Sequence, residues 1–112
     1  MENTFLIQKT QRYLELFASK NIKGLEDEIY NDSITLRDWN GQWVGKQAVL
    51  QMNEDLFNND FTIQIEDIKE SEATRTTIAL FNLTIADTTY KVVDIIEWDA
   101  MSKIYRILAY NG

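Results

Sequence analysis

The sequence predicts an α+β domain in which three helices pack on one face of a curved, mostly antiparallel sheet. Two patterns lead there. Apolar residues recur at helical spacing over residues 4–19 and 46–58, and after "NND" at 58–60 the period switches to two. Four strands joined by short turns then run to the end of the chain.

Leu6, Tyr13, Leu16 and Phe17 form the stripe of the first helix, with Leu14 beside it. Gln8, Lys9, Arg12 and Glu15 cover its other side. "SKN" at 19–21 ends it. A short second helix follows, with Ile22, Leu25 and Ile29 at i, i+3 and i+7. "SITLRDW", residues 33–39, alternates as the first strand. "NGQWVG" reads as a loop, and Gly45 can precede a third helix with Val49, Met52 and Leu56 as its stripe and Leu50 and Phe57 beside it. The remaining strands are predicted at 61–66, 74–86, 89–98 and 103–110, with a turn at "SEAT" between the first two.

With 112 residues, no Pro, four Gly and no repeat, the chain reads as one domain over 1–112. Three Trp, five Tyr and five Phe supply large side chains for a core or a pocket. The absence of Cys excludes disulfides, thiolate nucleophiles and cysteine metal sites. The absence of His excludes the Ser-His-Asp triad, histidine zinc sites and the commonest general base. Acid-base chemistry near neutral pH therefore falls to carboxylates, Tyr or Lys. A net charge of −7 without a basic patch argues against nucleic acid as partner. No apolar run is long enough to span a bilayer, and "MENTFLIQKTQRY" lacks the form of an export signal. The expected location is cytoplasmic.

Three residues break the pattern around them. Ile34 and Leu36 define the apolar face of their strand, and one more step along it arrives at Asp38. Tyr90, Val92, Ile96 and Trp98 share a face with Asp94 in its middle. An ionised carboxylate facing core costs several kcal/mol unless it is paired or keeps its proton. Tyr13 lies on a helical stripe, where a buried phenol needs a partner. Each has an ordinary explanation taken singly: a turn residue for Asp38, a buried pair or edge residue for Asp94, a core tyrosine for Tyr13. A chain of this size has one core, so all three can share one cavity, where perturbed carboxyls are candidate acid-base groups.

"QRYLELF", "ITLRDW", "GKQAVL" and "VVDIIEWDAMSKIYRILAY", in that order, resemble the nuclear transport factor 2-like superfamily, and within it the ketosteroid isomerases and SnoaL-like polyketide cyclases. The resemblance covers nearly the whole chain. It implies a cone-shaped α+β barrel, closed by the helices around a deep apolar pocket. It also implies Asp38 as general base, Tyr13 and Asp94 as donors to an enolate oxygen, and Tyr30 as a buttress to Tyr13. A second buttressing tyrosine is replaced by Asn53. The proline after the base is Trp39, and a shielding aromatic near the carboxy terminus is Asn111. These departures weigh against a steroid-sized ligand. Phe17, Phe57, Trp98 and Tyr110 complete the expected ligand-binding set.

The implied activity is isomerisation of a small apolar carbonyl compound through an enolate, with no metal or organic cofactor. A SnoaL-like ring closure, a non-catalytic small-molecule binder, and a homodimerisation or docking module remain alternatives. For the last, Val93, Ile95, Tyr105 and Ile107 are the expected outer-face residues, unless they pack on the helices.

Overall fold

The computed structural model describes residues 5–112. Thr4, the expected start of the first helix, lies outside the described residues. Helix α1 spans Phe5–Ala18, a short helical turn α2 covers Ile22–Gly24, and a π-helical turn continues it over Leu25–Ile29. Strands β1 (Tyr30–Asp38) and β2 (Gly41–Val44) precede α3 (Lys46–Phe57). Then come β3 (Phe61–Ser71), β4 (Thr76–Ile85), β5 (Thr88–Trp98) and β6 (Ile104–Asn111).

The six strands form one sheet in the order β2-β1-β6-β5-β4-β3. All pairings are antiparallel except β1 with β6, which run parallel and bring the first strand beside the last. Register shifts interrupt β1–β6, β3–β4 and β5–β6. Such bulges bend strands and increase their twist. Among the described residues, no helix is long and apolar enough to cross a membrane.

The helical stripe of α1 is buried as Leu6, Thr10, Tyr13, Leu14 and Leu16. Helix α3 turns Val49, Leu50 and Asn53 inward, with Met52 and Leu56 only half-buried. A polar side chain therefore sits at the centre of its inner face. "NGQWVG" departs from the expected loop. Four of its residues form β2, which pairs back on β1 from Thr35↔Val44 to Asp38↔Gly41. A four-residue strand that begins with glycine carries too little alternation to be read locally. Gly45 takes φ +93°, a backbone favouring glycine, and its N–H donates to the Ile34 carbonyl at 2.7 Å. It turns the chain from β2 into α3. Strand β3 outruns its expected end because the bulge between Ile65 and Asp67 lets pairing continue to Ser71.

The inner face of the sheet carries Ile34 and Leu36, Ala79, Phe81 and Leu83, and Val92, Asp94, Ile96 and Trp98, all buried. Ile107 joins them at 1% exposure, which corrects its expected place on the outer surface. Its cross-strand partner is Ile96, so the two share the inner face. Val93, Ile95 and Tyr105 are more exposed than this inner set.

A hydrogen-bonded chain ties α1 to the sheet. Trp98 Nε1 donates to Thr77 Oγ1 at 2.9 Å, Thr77 and Thr10 hydroxyls meet at 2.8 Å, and Thr10 Oγ1 donates to the Leu6 carbonyl at 2.7 Å. A carbonyl only accepts and an indole N–H only donates, so the Thr77 proton goes to Thr10. Thr77→Val strands the buried Trp98 N–H. We expect a loss of about 1–3 kcal/mol in urea unfolding, against little change for an exposed Thr62→Val control.

Candidate functional site

A cavity of about 270 Å³ lies between the inner sheet face and helices α1 and α3. Its wall is largely apolar, with Leu14, Leu36, Phe81, Leu83, Val92 and Ile107 among its members. Apart from Ile107, sequence patterning marks these residues as core, since nothing local separates core from cavity wall. Exposed Trp39 and Asn40 lie at its mouth. The Trp39 ring stacks on Tyr90 at 6.0 Å between centroids, bridging the β1–β2 turn to β5.

Tyr13, Asp38 and Asp94 all line this cavity. Asp94 reaches it from the middle of β5, where alternation directs it inward between Val92 and Ile96. Its cross-strand partners are Ala79 on β4 and Ala109 on β6. Two methyl side chains flanking a carboxyl leave the space above it open, and Ala109 itself lines the hollow. Asp94 is only 4% exposed. Burial, and then the charge of Asp38, push its pKa up to about 7. Near neutrality much of it therefore keeps its proton.

Asp38 does two jobs. Its Oδ1 accepts from the backbone N–H of Asn40 at 2.7 Å and of Gly41 at 3.2 Å, which caps the β1–β2 turn. The same side chain lines the cavity, half-buried at the end of β1. The turn bonds and the place on the cavity wall are compatible, because the turn uses one carboxylate oxygen and leaves the other.

Tyr13 is 3% exposed. Burial, the neighbouring Tyr30 phenol and the Asp94 carboxyl hold its hydroxyl well above the usual phenol pKa, so it stays a neutral donor. The rings of Tyr13 and Tyr30 lie 6.3 Å apart. Tyr30 sits behind the wall, and its hydroxyl donates to Asn53 Oδ1 at 2.6 Å.

The other expected ligand-binding residues divide. Phe17, Trp39 and Asn53 line the cavity. Phe57 does not; it packs edge-on to Phe17 at 5.0 Å and stacks on Phe61 at 5.8 Å. Trp98 does not either; it is buried in the core, where its indole serves the Thr77 bond. Tyr110 is 46% exposed and pairs with Val93, on the face turned away from Asp94. Asn111 is exposed beside Val92 at the end of β6, outside the cavity wall. Trp43 and Met52, which line it, were not singled out as site residues. Trp43 lies on β2, whose pattern reads locally as loop, and Met52 sits on the α3 stripe, a position that reads as core.

No family model matches the chain, and no curated protein matches it. Solved structures do. The epoxide hydrolase/cyclase-like enzyme SalBIII, of pyran ring formation in the polyether salinomycin, superposes with a TM-score of 0.87 at 11% identity, covering 97% of this chain and 92% of that one. An NTF-2 like protein of unknown function from Burkholderia xenovorans gives 0.82 at 13% identity, over 96% and 82% of the two chains. A steroid delta-isomerase from Pseudomonas aeruginosa gives 0.79 at 13% identity, over 98% and 81%. At such identities the likeness is one of fold. Three helices on a six-stranded, mostly antiparallel sheet, with these structures as neighbours, give this chain the nuclear transport factor 2-like fold.

Proposed function

We propose that the protein is a cofactor-free isomerase of the ketosteroid delta-isomerase type, acting on a small carbonyl compound. The observation that carries the reading is the meeting of Asp38, Asp94 and Tyr13 on one largely apolar cavity. The Asp38 carboxylate removes a proton from the α-carbon of a β,γ-unsaturated ketone, so that the double bond moves into conjugation as the proton is returned. The electron pair moves into the enolate, whose oxygen accepts from the Tyr13 hydroxyl and the protonated Asp94 carboxyl. Asp38 then returns the proton two carbons away, which leaves a conjugated ketone and a regenerated base. A carboxyl kept neutral by its surroundings is a strong donor to an oxyanion. The cavity of about 270 Å³ favours a compact ligand, since pockets for drug-sized molecules run to roughly 300–1,000 Å³.

Incubation with cyclohex-3-enone in D₂O tests this. We expect deuterium at the α-carbon and conversion to cyclohex-2-enone. Tyr13→Phe should slow both by about 10²–10³-fold. The wild-type rate should fall as pH rises through about 7, where Asp94 loses its donor proton. Binding without exchange above the buffer rate would leave only a carrier.

One observation favours a second reading. Asp94, holding a proton beside the Asp38 carboxylate, makes an acid-base pair that suits ring closure of a hydroxy-epoxide. The acid would protonate the epoxide oxygen as the base takes the hydroxyl proton. A hydroxy-epoxide probe that cyclises where the ketone does not exchange would select this reading.

A further inference from the structure

Asn53 holds a feature that the proton-transfer scheme leaves unused. The residue is fully buried at the centre of the inner face of α3. The Tyr30 hydroxyl donates to its Oδ1 at 2.6 Å, and this bond sets the orientation of the amide. The other end, Nδ2, carries two N–H donors. Its partner is the sulfur of Met52, the adjacent residue, at 3.8 Å. A thioether is a weak acceptor and engages one N–H at best. A buried amide left in that state costs free energy that a better acceptor would recover.

The unused donor belongs to the cavity. Met52 and Asn53 both line it, whereas Tyr30 does not. With Oδ1 taken by Tyr30, which is not on the wall, Nδ2 is the end of the amide left to meet a ligand in the hollow. Asn53 shares the cavity wall with the proposed oxyanion donors Tyr13 and Asp94. One hydrogen bond joins Asn53 to Tyr30, and the Tyr30 ring is 6.3 Å from that of Tyr13.

We propose that Asn53 Nδ2–H donates to a second oxygen of the ligand, so that the ligand pairs its enolisable carbonyl with a nearby carbonyl, ether or hydroxyl oxygen. This rests on the enolate-binding reading above and narrows it from apolar ketones to doubly oxygenated ones. An apolar ketone would leave the amide as it stands.

Phenols imitate an enolate oxygen, and a methoxy group differs from an ethyl group of similar shape by one acceptor. Calorimetric titration of the 2-, 3- and 4-methoxyphenols, each against its ethylphenol counterpart, reads the second contact. In the wild type at least one methoxyphenol should bind about tenfold tighter than its counterpart. Asn53→Leu alone strands the Tyr30 hydroxyl, so the substitution is made in Tyr30→Phe, which removes both partners. The preference should persist in Tyr30→Phe and vanish in Tyr30→Phe/Asn53→Leu, with the ethylphenol affinity of the two variants within about threefold. Phenols that bind without any methoxy preference, or a preference that survives Asn53→Leu, overturn the contact while leaving the enolate site intact. Failure of every phenol to bind overturns the enolate site and the Asn53 contact with it.

Discussion

Asp38→Asn should abolish α-proton exchange, by about 10²–10⁴-fold, while phenol binding survives. The substitution isolates basicity. In the wild type, Oδ1 accepts from Asn40 and Gly41, and an amide oxygen at the same place accepts both bonds. The β1–β2 turn therefore keeps its cap, and Trp39 keeps its stacking on Tyr90. The other terminal atom changes from a carboxylate oxygen, which takes a proton, to an NH₂ group, which does not. NMR-detected deuterium exchange measures the first effect, and calorimetry with the phenols measures the second. Exchange at an undiminished rate in the variant would remove Asp38 from the chemistry.

Asp94→Asn should stabilise the protein at pH 8 and change little at pH 4. The folded-state pKa is raised, from the usual 3.8 to about 7, with burial as the main cause. Below about pH 4 the carboxyl is protonated folded and unfolded alike. Between about 4 and 7 the folded protein holds the extra proton, so this group makes stability fall as pH rises. Above about 7 it is ionised in both states, and the fold carries the full cost of burying the charge. That cost is on the order of 4 kcal/mol, at 1.36 kcal/mol for each pH unit. A neutral amide escapes it.

Carboxylates with lowered pKa, such as Asp99 and Glu28, pull the other way. Their contributions are lost as pH falls, and they cancel when variant and wild type are compared at each pH. Urea unfolding from pH 4 to 8 should show a stability gap opening between about 4 and 7 and level above that. A gap that stays constant with pH would mean that Asp94 bears its charge comfortably. It would then be no donor.

The positions of Asp38 and Asp94 were legible because a strand has period two. Once Ile34 and Leu36, or Val92 and Ile96, define an inner face, a residue two steps along must share it. Tyr13 was legible for the same reason at helical period. Several other features were out of reach. Trp98 obeys the same alternation as Asp94 yet misses the cavity, and its indole bonds to Thr77, which is bonded in turn to Thr10. Tyr110 faces away from Asp94 because β6 pairs Tyr110 with Val93. Ile107 faces inward because the same register pairs it with Ile96.

Sequence alone determined the α+β class, most element boundaries and the inward direction of the three polar residues, since these depend on neighbours within a few positions. The tertiary structure decided that a hollow exists at all. Alanines on β4 and β6, far apart in the chain, flank one carboxyl and leave it room. It likewise decided which apolar residues became wall and which became core, and that the Asn53 amide meets Tyr30, 23 residues away. Those outcomes depend on strand register and helix placement, which long-range pairing sets and no local period encodes.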